Sequence, residues 1–353
     1  METREVRVPG YERVIWGTDS QSGYRGIVAI HCTTLGPAVG GTRYWRYASD
    51  EDALTDALRL ARGMTYKNAL AGLPCGGGKS IILHDAIADR SDAREKLFRA
   101  HGRLVEALKG SYITGEDVGT SPADMEHIRK ETSHVAGLEG GSGDPSPKTA
   151  RGVFRAMQAA ARYRWGSDDL AGRTVAIQGC GHVGYYLAGE LNRARAKLVI
   201  TDVDQERVKR VRDEFGATIV APENIFSVEA DIFAPCALGG ILNDQTIPQL
   251  RAQLVVGAAN NQLLEPRHGD LLEQHGILYA PDYAANAGGV INGCYRDMLR
   301  WDPDRSAAKI DDIYATLLSI FEIAGRNRIP TYQAADRLAE ERLMQAGSGH
   351  RAS

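Results

Sequence analysis

Two lysines stand twelve residues apart, Lys67 in Met64-Thr65-Tyr66-Lys67 and Lys79 at the end of Gly76-Gly77-Gly78-Lys79. Glycines strip side chains from around Lys79, so a small molecule can press against the backbone while the amine reaches it. Two lysines held close disfavour each other's protonated form. An amine brought down to about 7–8 serves as a general base near neutral pH. The run is not a phosphate loop of the G-x-x-x-x-G-K-[ST] kind, because Leu73 stands where the first glycine is required. A hundred residues further on comes Gly179-Cys180-Gly181-His182-Val183-Gly184. A basic amine coupled to a dinucleotide-binding loop points to redox chemistry at a carbon bearing nitrogen.

The elements that must position these residues fall into two groups. At 353 residues the chain is long enough for two domains with separate cores. Before residue 138, short β-rich runs at Arg25–His31 and Lys79–Leu83 flank a helical stripe of Ala53, Leu54, Ala57, Leu58 and Ala61. A second stripe follows at Leu97, Phe98, Leu104, Val105 and Leu108. Leu138–Pro147, rich in glycine, proline and serine, reads as the domain boundary. Six apolar runs then alternate mostly with helix-compatible segments: Thr174–Gly179, Lys197–Asp202, Thr218–Ala221, Asp231–Pro235, Leu254–Ala258 and Ile277–Ala280. That alternation predicts a parallel, doubly wound sheet. Ser306–Ile323 and Gln333–Gln345 read as closing helices, and Gly347–Ser353 as a disordered tail.

The expected architecture is α/β with two domains separated by a cleft. Residues 1–145, completed by a C-terminal helix at about 327–346, are expected to form one domain. Residues 146–326 form a Rossmann-type NAD-binding domain, and 347–353 the tail. A formal charge of −3 gives no reason to expect nucleic acid or an anionic membrane as partner. The five cysteines, Cys32, Cys75, Cys180, Cys236 and Cys294, lack metal-ligand spacing, so no metal is expected. Their odd count and isolation, no apolar stretch near eighteen residues and no signal-peptide pattern at the N-terminus lead us to expect reduced thiols in a cytoplasmic protein.

The glycine loop has the context that gives such a motif meaning. Thr174–Gly179 reads as a buried strand and His182–Leu191 as a helix, and Leu198–Asp202 ends in an acid twenty-one residues beyond Gly181. Gly179 makes the turn, Gly181 admits the pyrophosphate and Gly184 lets the helix pack closely. Cys180, His182 and Val183 complete the loop, whose helix N-terminus binds the phosphates. Asp202 accepts from the adenine ribose and repels a 2′-phosphate, which favours NAD over NADP.

A set of further motifs stands in one order: Leu35-Gly-Pro-Ala-Val-Gly-Gly-Thr-Arg43, Met64–Asn68, Gly76–Lys79, Gly115-Glu-Asp-Val-Gly119, Phe233–Gly240, Ala258-Ala-Asn-Asn-Gln262, Tyr279–Tyr283 and Asn286-Ala-Gly-Gly289. From about residue 10 to residue 345 the chain resembles the glutamate/leucine/phenylalanine/valine dehydrogenase family, in its hydrophobic-amino-acid branch. The resemblance implies reversible NAD-dependent oxidative deamination of an L-amino acid to a 2-oxo acid, ammonia and NADH. It implies that residues 1–145, with the C-terminal helix, are the substrate, catalytic and oligomerisation domain. It implies Lys67 on the substrate carboxylate, Lys79 as the base that activates water, and Asp117 shuttling the proton of the substrate nitrogen. Gly40, Gly41 and Asn260 would line the substrate's amino-acid end. Thr149 would meet the nicotinamide amide, with Ala237 and Asn261 also on the cofactor. A homo-oligomer, dimer or octamer, is expected.

Substrate choice inside the family is read from pocket walls. Glutamate enzymes carry lysine where Val39 stands, so an acidic substrate is not expected. Leucine-type enzymes carry leucine at Val39, alanine at Gly115 and valine at Gly293, and Val290 joins the same wall. The smaller residues here open room for an aromatic ring, and Thr114-Gly115 resembles the phenylalanine- and tryptophan-type pattern. The reading leans to phenylalanine or tryptophan, with a leucine- or valine-type enzyme as the alternative. A non-catalytic NAD(H) or amino-acid sensor is a third reading, which intact Lys67, Lys79 and Asp117 oppose. A hydroxy-acid dehydrogenase would want a His–acid pair, and His182 and His268 have no evident acid partner in sequence.

Overall fold

The computed structural model describes residues 1–84, 91–138 and 141–349. The chain divides into two compact units. One comprises Met1–Gly143, Gly293–Arg300 and the chain from Ala339 onward; the other comprises Asp144–Asn292 and Trp301–Leu338.

The first unit is built on β1 (Glu2–Glu5), β2 (Arg13–Asp19), β3 (Tyr24–Cys32), β4 (Ala38–Trp45), β5 (Gly76–Leu83) and β6 (Tyr112–Glu116), in the order β1-β2-β3-β5-β4-β6. β4 runs parallel to β5 and β6, while β3 and β5 are antiparallel. α1 (Asp50–Leu70) starts at Ser49, whose side chain accepts from the Asp52 N–H, and three acids fill its first turn. Its stripe of Ala53, Ala57 and Ala61 packs on Ile27, Ala29 and Ile81. Such small side chains let the helix lie close to the sheet. α2 (Ser91–Ala107) and α3 (Pro122–Arg129) supply Leu97, Phe98, Leu104, Met125 and Ile128 to the opposite face, against Val28, Ile30, Tyr44 and Ile82. Each fully buried leucine or phenylalanine there contributes about 1.5–3 kcal/mol.

The second unit holds β7 (Thr174–Gln178), β8 (Lys197–Thr201), β9 (Thr218–Ile219), β10 (Ile232–Pro235), β11 (Leu254–Val255) and β12 (Leu278–Tyr279). All pairs are parallel, in the order β12-β11-β10-β7-β8-β9, which is the doubly wound Rossmann order. The helices are α4 (Ser146–Trp165), α5 (His182–Arg193), α6 (Gln205–Phe215), α7 (Arg267–Gln274), α8 (Asp282–Ala285), α9 (Gly288–Gly293), α10 (Pro303–Asp311), α11 (Ile313–Asn327) and α12 (Thr331–Gly349).

Several details differ from the sequence reading. The strand expected at Thr218–Ala221 stops at Ile219, and Pro222 opens a 3₁₀ turn. The helix expected over Ser306–Ile323 is two, divided at Asp312. Gly293–Arg300 belongs with the first unit rather than with residues 146–326, because Asp297 accepts from the Gly137 N–H at 3.3 Å and the Ser142 hydroxyl at 2.9 Å. The C-terminal helix is shared. Tyr283 donates to Asp336 at 2.6 Å inside the second unit, whereas Arg342 donates to the Ala69 carbonyl at 2.9 Å at the end of α1 in the first. α12 also runs on through Gly349, three residues into the expected tail; residues 350–353, like Glu139 and Gly140 of the expected boundary loop, lie outside the described residues.

Candidate active site

The glycine triplet is not a loop. It forms the head of β5, and each glycine is bare because a neighbour lies on it: a Cβ at Gly77 would sit 2.1 Å from the Thr65 nitrogen of α1, one at Gly76 1.9 Å from the Cys32 carbonyl oxygen, and one at Gly78 2.8 Å from the Tyr112 ring. Lys79 follows in the same strand, only 4 % exposed. The register of β5, β4 and β6 brings Lys79, Gly41 and Gly115 into one row across the sheet, on the face that carries α1. With no side chain at Gly41, the Lys79 amine crosses β4 and meets Asp117 just beyond β6, Nζ to Oδ2 3.0 Å. Arg43, two residues past Gly41 and therefore on the same face, donates from Nε to that oxygen at 2.9 Å. Arg43 also donates to Asp56 of α1 at 2.8 Å, and the Tyr47 hydroxyl donates to the same Asp56 oxygen at 2.7 Å.

The electrostatics of this row are asymmetric. Burial pushes the Lys79 amine below the usual lysine value; the Asp117 carboxylate opposes that shift, and the Arg43 guanidinium adds to it. Burial alone would raise Asp117, but the charges and hydrogen bonds of Lys79 and Arg43 outweigh it and hold the carboxyl below its usual range. Lys79 and Asp117 pull in opposite senses as an ion pair. The downward direction for Lys79 stands because Asp117 keeps Arg43 as a partner when the amine is neutral. The depressed amine therefore differs in origin from the sequence argument: burial and Arg43 are the chief causes, and Lys67 is not among the principal contributors.

Lys67 lies half-buried in the last turn of α1, where the helix C-terminus favours positive charge. Two bonds fix this turn. Asn68 donates to the Gly76 carbonyl at 2.6 Å, and the Thr65 hydroxyl meets His31 Nδ1 at 2.8 Å. Val39 shares the Lys79 face, whereas Gly40, expected to touch substrate, falls on the opposite side with its carbonyl taken by the Tyr112 hydroxyl at 2.5 Å. Gly115 and Gly293 both have room for a side chain. A Cβ at Gly115 would meet only the Ala136 carbonyl at 3.7 Å, and one at Gly293 nothing within 4 Å.

Behind the row lies a buried polar layer that the sequence reading missed, as it missed Arg43 and Asp56. His101 of α2 bonds Tyr24 through Nδ1 at 2.8 Å, and Ser80 and Thr42 through Nε2 at 3.1 Å each. Thr42 also bonds Ser80 at 2.8 Å and the Thr114 hydroxyl. Burial pushes His101 down to about 3, so the ring is neutral and can both donate and accept. Ser80, Thr42 and Thr114 are the sequence neighbours of Lys79, of Gly41 and Arg43, and of Gly115, so the imidazole ties β4 to β5 directly and reaches β6 through Thr42. Strand alternation from Gly41 would have revealed Arg43; nothing local to residue 101 marks the histidine.

The second unit offers a different kind of site. Gly179 turns at φ +103°, which a side chain would strain, and Gly184 lets α5 press on that turn, its Cβ position being 2.0 Å from the Gly179 carbonyl oxygen. α5 begins at Gly181 with no side-chain cap, leaving its first N–H groups for an anion. The space a Cβ would take at Gly181 is open, with Arg207 Nη1 nearest at 3.9 Å. The residues present thus fit a dinucleotide pyrophosphate. Asp202, just past β8, accepts the Cys180 N–H at 2.6 Å and the Asp204 N–H at 2.9 Å, so its carboxylate is fixed beside the loop. Ala237 packs under Gly179, and Thr149 of α4 abuts Gly289. Asn260 accepts from Asn286 at 2.7 Å, and the Asn261 carbonyl accepts from the Gly240 N–H at 2.7 Å. Asn260, Val290, Thr149, Ala237 and Asn261 all belong to this second unit, and Lys67, Lys79, Asp117, Val39, Gly115 and Gly293 to the first.

A doubly wound parallel sheet with an open helix N-terminus, joined in one chain to a second sheet that carries a buried lysine paired with an aspartate, defines a two-unit dehydrogenase. The chain belongs to the glutamate/leucine/phenylalanine/valine dehydrogenase family. The profile of the Glu/Leu/Phe/Val dehydrogenase dimerisation domain matches residues 12–134, and that of glutamate/leucine/phenylalanine/valine dehydrogenase matches 140–205 and 197–350. The chain is 56 % identical over 336 residues to leucine dehydrogenase of Geobacillus stearothermophilus, covering 94 % of this chain and 90 % of that protein. It is 46 % identical over 345 residues to phenylalanine dehydrogenase of Lysinibacillus sphaericus, covering 96 % and 90 %. The crystal structure of L-tryptophan dehydrogenase from Nostoc punctiforme aligns with a TM-score of 0.87 at 45 % identity, over 96 % of this chain and 97 % of that one. The protein is an amino-acid dehydrogenase of the NAD(P)-dependent type, in the hydrophobic-amino-acid branch. Among the described residues no helix is long and apolar enough to cross a membrane, and no cluster of histidine, cysteine and acidic residues could hold a metal ion.

Proposed function

We propose that this chain catalyses the reversible oxidative deamination of a hydrophobic L-amino acid with NAD, giving the 2-oxo acid, ammonia and NADH. The observation that carries the reading is the buried Lys79 amine, depressed below its usual value and 3.0 Å from Asp117. Lys67 holds the substrate carboxylate as a fixed cation. Asp117, kept ionised by Arg43, takes and returns the proton of the substrate nitrogen. Neutral Lys79 then removes a proton from water as it adds to the imine carbon, and ammonia leaves from the carbinolamine. The nicotinamide, when bound, supplies the hydride chemistry at Cα. Cys180 to Gly184 hold its pyrophosphate, and Asp202 accepts from the adenine ribose and repels the extra phosphate of NADP. NADH formation with a panel of L-amino acids, and its ammonia-dependent reversal with the matching 2-oxo acids, tests the reading; no turnover with any hydrophobic amino acid overturns it. A homo-oligomer, dimer or octamer, in the cytoplasm is the expected working form, in keeping with the dimerisation-domain match.

For the side chain we keep the aromatic reading, phenylalanine or tryptophan. Its support is that Gly115 and Gly293 are required neither by positive φ nor by close backbone, so what they leave is space. The wild type should then prefer L-phenylalanine or L-tryptophan over L-valine in kcat/KM. Gly115→Ala with Gly293→Val should move preference back towards branched aliphatics by about 10–200-fold. Efficient oxidation of leucine with hardly any of phenylalanine would decide for the leucine-type alternative, which the 56 % identity to a leucine dehydrogenase favours.

A further inference from the structure

Cys75 and Cys294 are 219 positions apart, yet their sulfurs lie 3.3 Å from each other. Both are buried, at 1 % and 3 % exposure, and both belong to the first unit. Cys75 immediately precedes the glycine head of β5, and Cys294 opens a short π-helical segment, Cys294–Met298, that follows α9. We propose that Cys75 and Cys294 form a dithiol modification site that closes reversibly into a disulfide on reaction with hydrogen peroxide or a small organic disulfide. This inference does not rest on the proposed reaction.

The geometry favours closure. A disulfide needs its sulfurs at about 2.05 Å, so they must approach by only about 1.3 Å. The movement can come from one side. Gly76 is clamped, its Cβ position lying 1.9 Å from the Cys32 carbonyl oxygen, whereas Gly293 beside Cys294 has no neighbour within 4 Å of its own. Either thiol can donate to the other; donation from Cys294 lowers Cys75 relative to an ordinary thiol and raises Cys294, so that Cys75 is the first to ionise. Cys180 and Cys236, by contrast, are each pushed up to about 12 by burial and stay protonated. With peroxide, the Cys75 thiolate attacks one oxygen, the O–O bond breaks, and a sulfenic acid and water form. The Cys294 sulfur then attacks the Cys75 sulfur and expels a second water. Two thiols and one peroxide give one disulfide and two waters, with two electrons passing from sulfur to oxygen. With a small disulfide, thiol exchange through a mixed disulfide reaches the same product and releases two small thiols.

Closure would fasten Gly293–Arg300 to the head of β5 and close a long loop in the unfolded chain, which stabilises the folded protein. The test treats the full-length protein with hydrogen peroxide or oxidised glutathione, alkylates remaining thiols and maps peptides by mass spectrometry. The expected result is a Cys75–Cys294 linked peptide, a fall from five free thiols to three, and reversal by dithiothreitol. Oxidation should also raise the melting temperature of wild type and of Cys32→Ser by at least a few degrees, but not that of Cys75→Ser or Cys294→Ser. Five thiols remaining after treatment, links that bypass this pair, or a sulfinate at Cys75 without any link would each overturn the proposal. Because the peptide map is read on wild type, it stands even if a serine variant fails to fold.

Discussion

In the first unit the candidate chemistry lies on the face of a mixed sheet and is made of side chains; in the second it lies at the ends of parallel strands and is made of backbone. Buried Lys79 and half-buried Arg43 and Asp117 form a row in which both cations pair with the carboxylate, and their proton affinities are set by burial and by one another. The Gly179–Gly184 turn offers N–H groups and an empty space, with a single carboxylate at its side. A site of the first kind is sensitive to every charge near it. A site of the second kind is sensitive mainly to shape, since its donors are fixed by the helix itself. Substitutions in the first unit should therefore change rates and pH dependence, and those in the second should change cofactor affinity and choice.

The largest effect is expected at Lys79. Lys79→Ala should lower turnover by about 10² or more, the usual scale for losing a general base, while NADH binding measured by fluorescence titration stays nearly intact. Unchanged turnover would remove Lys79 from the mechanism. Lys67→Ala should act on substrate instead, raising the apparent KM for the amino acid by about tenfold to a hundredfold as a charged hydrogen bond to the carboxylate is lost. A normal KM would mean that the carboxylate is held elsewhere. The smallest effect is expected in the second unit. Asp202→Ser should narrow the preference for NADH over NADPH by about tenfold, the size of a screened charge repulsion of ~1–2 kcal/mol. A wild type that already prefers NADPH would contradict the role given to Asp202.

The same contrast explains what was legible in the sequence. The glycine loop could be read almost completely, because Gly179, Gly181, Gly184 and Asp202 answer local demands of turn, approach and helix packing. All six strands of that sheet were also foreseen, with ends shortened where the chain leaves the ladder, as at Pro222. The lysine row was only half legible. The expected strand begins only at Lys79, because glycine is poor in strands, whereas here close neighbours demand Gly76–Gly78: the Cys32 carbonyl at Gly76, α1 at Gly77 and the Tyr112 ring at Gly78. Arg43 was quoted within a motif but given no role, since its importance comes from Asp117, seventy-four residues away. His101 was invisible: a histidine in a helical stripe gives no sign that it will meet Tyr24, Thr42 and Ser80 from three strands. The grouping of Gly293–Arg300 with the first unit was illegible for a similar reason. Gly293–Arg300 is drawn to the first unit by Asp297 and Cys294, whose partners are distant in sequence.

The account turns on Lys79 acting as a neutral, buried amine beside a permanent cation, and the pH dependence of kcat/KM for amino-acid oxidation tests this most directly. Protonated Lys79 is inactive, so the rate should rise with pH to a plateau, with its midpoint below the ordinary lysine value of about 10.4. Removing the like charge with Arg43→Gln relieves the pressure against protonation, so the midpoint should move to higher pH in that variant. A rate that stays flat across this range, or a midpoint that moves to lower pH when Arg43 is replaced, would contradict the account.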